Sequence, residues 1–157
     1  MTTITLLFST TANPFSGLIR VATWSRWSHV AIVDGDHVIE AVALHGVRRV
    51  PLSEAIGRAK RYALVERPCR NPKGVIAAAI SQIGKPYDYT AVLGIGLHRD
   101  WQEDDAWYCA ELVAWAFDQA TEPLFRPEAL RRVTQEHIFM LAPATPELIF
   151  FKELAKG

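Results

Sequence analysis

The sequence predicts an α+β fold in a single domain spanning residues 1–157. Three observations point there. β-rich and helical runs are mixed along the chain without a regular strand–helix–strand rhythm, which argues against a doubly wound parallel sheet. Asp34-Gly35 lies between two β-rich runs, a strong signal for a tight antiparallel turn. The length of 157 residues is that of one domain, able to bury roughly two-thirds of its unfolded surface without a covalent staple. The expected arrangement is a central antiparallel sheet packed against the helix that carries Cys109.

The elements follow in order. Thr3 to Thr10 reads as a first strand, broken by Asn13-Pro14, and Ser16 to Trp24 as a short helix. Ser28 to Val33 and His37 to Leu44 are the two β-rich runs around Asp34-Gly35. Val47 to Leu52 adds a strand, Ser53 is a plausible cap for a helix through Ala59, and Tyr62 to Glu66 is another strand. Asn71-Pro72 places a capping residue before a proline in a first helical turn. Val75, Ile76, Ala79, Ile80 and Ile83 then recur at helical spacing, and Gly84 ends the helix. Lys85 to Asp100 is a connection without a readable pattern. Asp104 or Asp105 can cap a helix running to about Thr121, stopped by Pro123. A proline-punctuated tail, a short helix near Gln135 and a last strand at Leu148 to Phe151 complete the chain.

Composition narrows the function. Half of the residues are apolar and 22% are charged, as in an ordinary globular protein. With 17 basic and 17 acidic residues the formal net charge is zero, and the basic excess of a nucleic-acid binder is missing. No apolar stretch approaches the roughly 20 residues of a membrane helix. Ile4 to Phe8 is too short for a signal-peptide core and has no basic region before it, so the expected location is the cytoplasm, a trimmed leader aside. Two cysteines, Cys69 and Cys109, cannot form a disulfide framework and read as free thiols.

Cys109, Leu112, Val113, Ala116, Phe117 and Ala120 form one apolar stripe on the predicted helix. Cys109 can therefore be a small core residue, as free cysteines often are. It also falls in the first turn or two after the acidic cap, near the positive end of the helix dipole, where a thiolate is favoured. Asp104, Asp105 and Glu111 oppose that effect, so a histidine must help. His29 is the candidate. A two-residue loop at Asp34-Gly35 pairs His29 directly with Glu40 on one sheet face, with Cβ atoms about 5 Å apart. Sliding the loop to Gly35-Asp36 makes Glu40 a diagonal neighbour on the same face, whereas an odd-length loop separates the two. Ala31, Val33, Val38 and Val42 share one face of this hairpin, and Val30, Ile32, Ile39 and Ala41 the other, so both faces should be buried. A carboxylate in that setting needs a partner. The His29–Glu40 pair can be purely structural, or Glu40 can orient an imidazole that takes a proton from a thiol. A Cys–His–Glu metal site would have no supporting CxxC or HExxH spacing.

Trp27-Ser28-His29-Val30-Ala31-Ile32, Val38-Ile39-Glu40-Ala41, Gly46-Val47-Arg48, Ile83-Gly84-Lys85-Pro86-Tyr87-Asp88 and Trp107-Tyr108-Cys109-Ala110-Glu111-Leu112-Val113 occur in this order. In that ordered set the chain resembles the permuted papain-like cysteine hydrolases of the YiiX/YebB kind, relatives of NlpC-type peptidases and of lecithin retinol acyltransferase. The resemblance covers residues 16 to about 120. It implies a circularly permuted papain-like (NlpC-type) fold, with Cys109 as nucleophile, His29 as base and Glu40 as the orienting third residue. Tyr87 matches a tyrosine near the thiol in NlpC-type sites and is read either as an oxyanion donor or as an amphipathic wall residue. Trp27, Trp107 and Tyr108 are further substrate or oxyanion candidates. The stretch from Thr90 to Glu103 matches no motif.

The expected activity is that of a cysteine peptidase or amidase cleaving an amide of a short peptide or cell-wall-type fragment, with no metal or organic cofactor. Arg26, Lys85 and Arg99 lie near the matched segments and could receive a peptide carboxylate. An acyltransferase or lipid ester or amide hydrolase would use the same three residues, and a non-catalytic peptide- or lipid-binding module would need none of them intact. The expected partner is a small peptide or acyl-containing substrate rather than a nucleic acid. Oligomeric state is not readable.

Overall fold

In the computed structural model, which describes residues 2–11, 14–91, 106–141 and 149–153, the chain forms an antiparallel sheet with helices packed on it. The elements are β1 (Thr3–Thr10), α1 (Pro14–Thr23), β2 (His29–Asp34), β3 (His37–Val42), β4 (Gly46–Pro51), α2 (Leu52–Gly57), β5 (Arg61–Pro68), α3 (Pro72–Ser81), α4 (Cys109–Gln119), a 3-10 helix (Pro127–Arg132), α5 (Gln135–Met140) and β6 (Ile149–Glu153). The strand order is β4-β3-β2-β1-β5-β6, and every neighbouring pair is antiparallel. The α+β class and the packing of the cysteine helix against the sheet both hold. Among the described residues no helix is long and apolar enough to cross a membrane.

Alternation along the strands gives the sheet two buried faces, as the hairpin pattern predicts. Val30, Ile32, Ile39 and Ala41 join Phe8, Leu112, Val113 and Phe117 in the larger core, beneath α3 and α4. Ala31 and Val38 join Leu7, Val50 and Ala55 in a smaller core under α2. Asn71 caps α3 as expected, its side-chain oxygen accepting from Gly74 N at 3.0 Å.

Three details differ from the sequence expectation, each for a local reason. The β2–β3 loop is Gly35-Asp36, because Asp34 pairs with His37 and Val33 with Val38. Gly35, with φ of 60°, takes the first central position, and Asp36 stays out of the left-handed region. That is the type II′ pattern, whereas a turn on Asp34-Gly35 would force the aspartate to positive φ. Helix α2 begins at Leu52 with no side-chain cap, so Ser53 lies inside it. Its first N–H, that of Leu52, donates to Asp36 O at 2.8 Å instead. Helix α4 starts at Cys109, not after the acidic pair, because Trp107 is still extended and bridged in parallel to Tyr87. Asp104 and Asp105 lie outside the described residues, as do His98, Arg99 and Trp101.

That bridge belongs to a backbone junction on which the site rests. Trp107 N donates to Pro86 O at 2.9 Å, and Asp88 N to Trp107 O at 3.0 Å. The same 84–88 segment is fastened to β4, with Val47 N donating to Lys85 O at 2.8 Å and Gly84 N to Val47 O at 2.9 Å. Gly46 allows the close approach. It has φ of 68°, and a Cβ there would stand 2.2 Å from Lys85 O. Replacing Gly46 by alanine therefore combines left-handed strain with a backbone clash, and should cost about 2–4 kcal/mol of stability. Urea unfolding of Gly46→Ala beside Gly57→Ala checks this, since Gly57 has nothing within 4 Å of the added methyl.

Candidate active site

Glu40 is fully buried in the middle of β3. A carboxylate in that position is costly unless charged partners replace its water. Three do. His29 Nε2 lies 2.7 Å from Oε2, Arg48 Nε donates to Oε1 at 3.2 Å, and Arg58 Nη2 donates to the same oxygen. Arg48 stands directly across the β3–β4 ladder from Glu40, and Arg58 closes the end of α2. Burial pushes the Glu40 pKa up, but the hydrogen bond and charge of His29 and the charge of Arg58 outweigh it and bring it down to about 2. Glu40 is therefore an anion at every physiological pH.

His29 opens β2, and its continuing register makes Glu40 a diagonal neighbour on the same face. With Nε2 held by Glu40, Nδ1 is the ring nitrogen left for other chemistry. Burial lowers the His29 pKa, yet side-chain hydrogen bonds with Cys109 and Glu40, and the charge of both, raise it to about 9. The imidazole is thus held as a cation between a carboxylate and the Cys109 sulfur.

Cys109 is buried at the first position of α4, after Tyr108 in extended conformation. The first intrahelical bond is Leu112 N to Tyr108 O at 3.0 Å, so the N–H groups of residues 109–111 precede the ladder and present the positive end of the dipole to the sulfur. Gln135 Nε2 also donates to the sulfur at 3.2 Å, and the buried Tyr108 side chain makes a hydrogen bond with it as well.

A cavity of about 320 Å³ opens beside His29. It is lined by Ser9, Ser16 and Ser28, by the apolar residues Ile19 and 41–44, and by Arg58, Tyr87 and Tyr89. Tyr87 is placed both on this cavity and near the thiol, for burial first and then the charge of Cys109 hold its phenol well above the ordinary range. Its hydroxyl therefore stays protonated and able to donate.

Cys109 itself does not line the cavity, which reaches the site through His29 and Tyr87, and neither do Tyr108, Trp27 and Trp107. Tyr108 is buried, and its hydroxyl donates to Gln135 Oε1 at 2.5 Å. Trp27 packs against Phe8 and Phe139 under the guanidinium of Arg61, and Trp107 lies on Trp115 with its indole N–H donating to Gln82 at 3.0 Å. Arg26 is spent on Glu136, with Nη2 to Oε1 at 3.0 Å. The sequence reading missed Arg48, Arg58 and Gln135. Arg48 was accessible, since counting the β3–β4 ladder puts it opposite Glu40. The other two carry no local signal.

With this geometry in place, comparison with known proteins gives two findings. The profile of a family described as permuted papain-like amidase enzymes, YaeF/YiiX, C92 family, matches residues 5–137. In structure the chain is similar to the crystal structure of a protein described as the metalloprotein yiiX from Escherichia coli O157:H7, with a TM-score of 0.59 and 24% sequence identity. The match covers 75% of this chain and 65% of that one, and at this identity the likeness concerns the fold. No curated protein matches the chain.

The pKa shifts set a pH window. His29, raised from 6.5 to about 9, contributes stability that is complete below pH 6.5 and lost as pH rises through about 9. Glu40, lowered from 4.5 to about 2, contributes stability that is complete above pH 4.5 and lost as pH falls through about 2. The pair therefore stabilises most between pH 4.5 and 6.5. In Glu40→Gln the His29 midpoint should fall back toward the ordinary histidine range, because the hydrogen bond to an anion and its charge are both removed. Imidazole chemical shifts followed against pH measure this directly.

Proposed function

The chain belongs to the permuted papain-like amidase family, and on that premise we propose that it cleaves an amide bond of a short peptide or cell-wall-type fragment through an acyl-enzyme on Cys109. The observation that carries the reading is His29, bonded on one side to an ionised Glu40 and on the other to a thiol at a helix N-terminus. This pair differs from a merely structural one in that the imidazole faces a nucleophile as well as a carboxylate.

In this mechanism the Cys109 thiolate attacks the substrate carbonyl carbon. The N–H groups at the start of α4 and the hydroxyl of Tyr87 receive the oxyanion. The His29 imidazolium gives its proton to the leaving amine as the C–N bond breaks, which leaves a thioester and a neutral imidazole. That imidazole then takes a proton from water, hydroxide adds to the thioester, and Cys109 departs as thiolate beside a protonated His29. Glu40 holds the ring orientation and offsets its charge throughout.

A metal does not fit these residues. Both carboxylate oxygens of Glu40 are taken by cations, and among the described residues no group of three or more His, Cys, Asp and Glu side chains is placed to hold an ion.

The apolar wall of Ile19, Ala41, Val42, Ala43 and Leu44 favours a second reading, in which the acyl part of the substrate is a lipid chain. The volume of about 320 Å³ suits a compact acyl group in either case. A paired screen of short peptides containing D-amino acids against fatty-acyl esters and amides decides between them. Cys109-dependent turnover of the peptides supports the amidase reading, and turnover of acyl lipids alone supports the second.

Two outcomes test the mechanism. Cys109 should alkylate with iodoacetamide at neutral pH roughly tenfold faster than Cys69, or more. Among the described residues no imidazole interacts with Cys69, and burial first of all pushes its thiol up. On a working substrate Cys109→Ala should abolish turnover, and Glu40→Gln should lower kcat roughly 10–10³-fold without eliminating it. Mass mapping of a brief labelling reaction and steady-state kinetics supply the measurements.

A further inference from the structure

We propose that Gln135, the first residue of α5, is a thiolate-binding residue of this site, its side-chain amide donating a hydrogen bond to the Cys109 sulfur and tying that sulfur to the strand that carries His29. The proposal rests on the reading of Cys109 as nucleophile and adds to it a residue that no motif in the chain signals.

The geometry leaves little freedom. Gln135 is fully buried, and each of its side-chain hydrogen-bonding groups is engaged. Nε2 donates to Ser28 O at 3.0 Å and to Cys109 Sγ at 3.2 Å, while Oε1 accepts from Tyr108 at 2.5 Å. The Ser28 carbonyl can only accept, which decides which end of the amide carries the nitrogen. The Tyr108 hydroxyl, protonated because burial holds its phenol well above the ordinary range, locks the other end. The helix itself is anchored. Thr134 caps it, with His137 N donating to Thr134 Oγ1 at 3.3 Å and Thr134 N to His137 Nδ1 at 3.1 Å. Glu136 accepts from Arg26 N at 3.1 Å, so two adjacent residues of α5 grip the segment just before His29.

An N–H donated to sulfur is strongest when the sulfur is charged. Gln135 therefore favours the thiolate over both the thiol and the thioester. It raises the reactive fraction before attack and stabilises the departing thiolate when the thioester is hydrolysed. The other titratable groups facing the sulfur among the described residues are His29 of β2, with Glu40 of β3 behind it, Tyr87 from the segment after α3, and Tyr108. Gln135 itself cannot ionise, so its effect does not titrate.

The experiment follows the rate of Cys109 alkylation by iodoacetamide against pH in the full chain, located by mass. Gln135→Met keeps length and removes the donor. Tyr108→Phe keeps Gln135 but removes both its lock and a hydroxyl that itself bonds the sulfur. Glu136→Gln weakens the grip of α5 on Arg26 without touching the sulfur. The expected result for Gln135→Met is a rate about tenfold lower on the acidic side of the profile, converging on the wild-type rate where any thiol is ionised. Tyr108→Phe should move the profile the same way, and Glu136→Gln should leave it in place. Wild-type profiles for Gln135→Met and Tyr108→Phe would overturn the proposal. So would equal displacement by Glu136→Gln, which would make α5 a structural clamp only. If Gln135→Met does not fold, Gln135→Leu carries the test, and an unmoved profile in that variant overturns the proposal. Wild-type Cys109 labelling no faster than Cys69 would instead reject the nucleophile reading, so the two failures are distinct.

Discussion

A carboxylate sealed inside a sheet is the constraint from which the rest of this site follows. Glu40 has no water to solvate it, and leaving such a charge unpaired would cost several kcal/mol. Its partners come from three elements, His29 of β2, Arg48 of β4 and Arg58 at the end of α2. Together they tie the registers of three strands to one another and to α2. The two arginines leave Oε2 for the histidine. The same arrangement that neutralises a buried anion thereby fixes an imidazole in one orientation and keeps it protonated.

The Cys109 thiol is brought to this imidazole by a backbone junction. Gly46 lets the 84–88 segment lie against β4, and that segment pairs with Trp107, two residues before Cys109. The extended conformation persists through Tyr108, so α4 can begin only at the cysteine. The resemblance motifs around Gly46, Tyr87 and Trp107, distant in sequence, thus form one physical junction that delivers a thiol to a helix end. Sheet and helix are joined a second time by α5, through Gln135 and Glu136.

Parity explains how much of this was legible. The facing of His29 and Glu40 survives any even slip of the register, so placing the turn one residue early, which shifts the register by two, still put both residues on one face. The two buried faces followed from the same alternation. Arg48 was readable from ladder counting, but Arg58 reaches Glu40 from a helix end whose position depends on tertiary packing. Gln135 lies 26 residues beyond Cys109, and nothing local to it marks a contact with sulfur. Tryptophans misled for a different reason. Trp27 and Trp107 occur beside the site residues in sequence, yet a large ring next to a strand end is held by the core more readily than it lines a cavity, and both are buried.

On the proposed mechanism Glu40 acts on chemistry through His29 and not independently of it. A double-mutant cycle on kcat/KM, combining Glu40→Gln with His29→Ala, tests this most directly. If the carboxylate works only by orienting and charging the imidazole, the double variant will be no slower than His29→Ala alone, giving a coupling as large as the whole effect of Glu40→Gln. Independent, multiplying losses would contradict the account, because they would assign Glu40 a role that does not pass through the histidine.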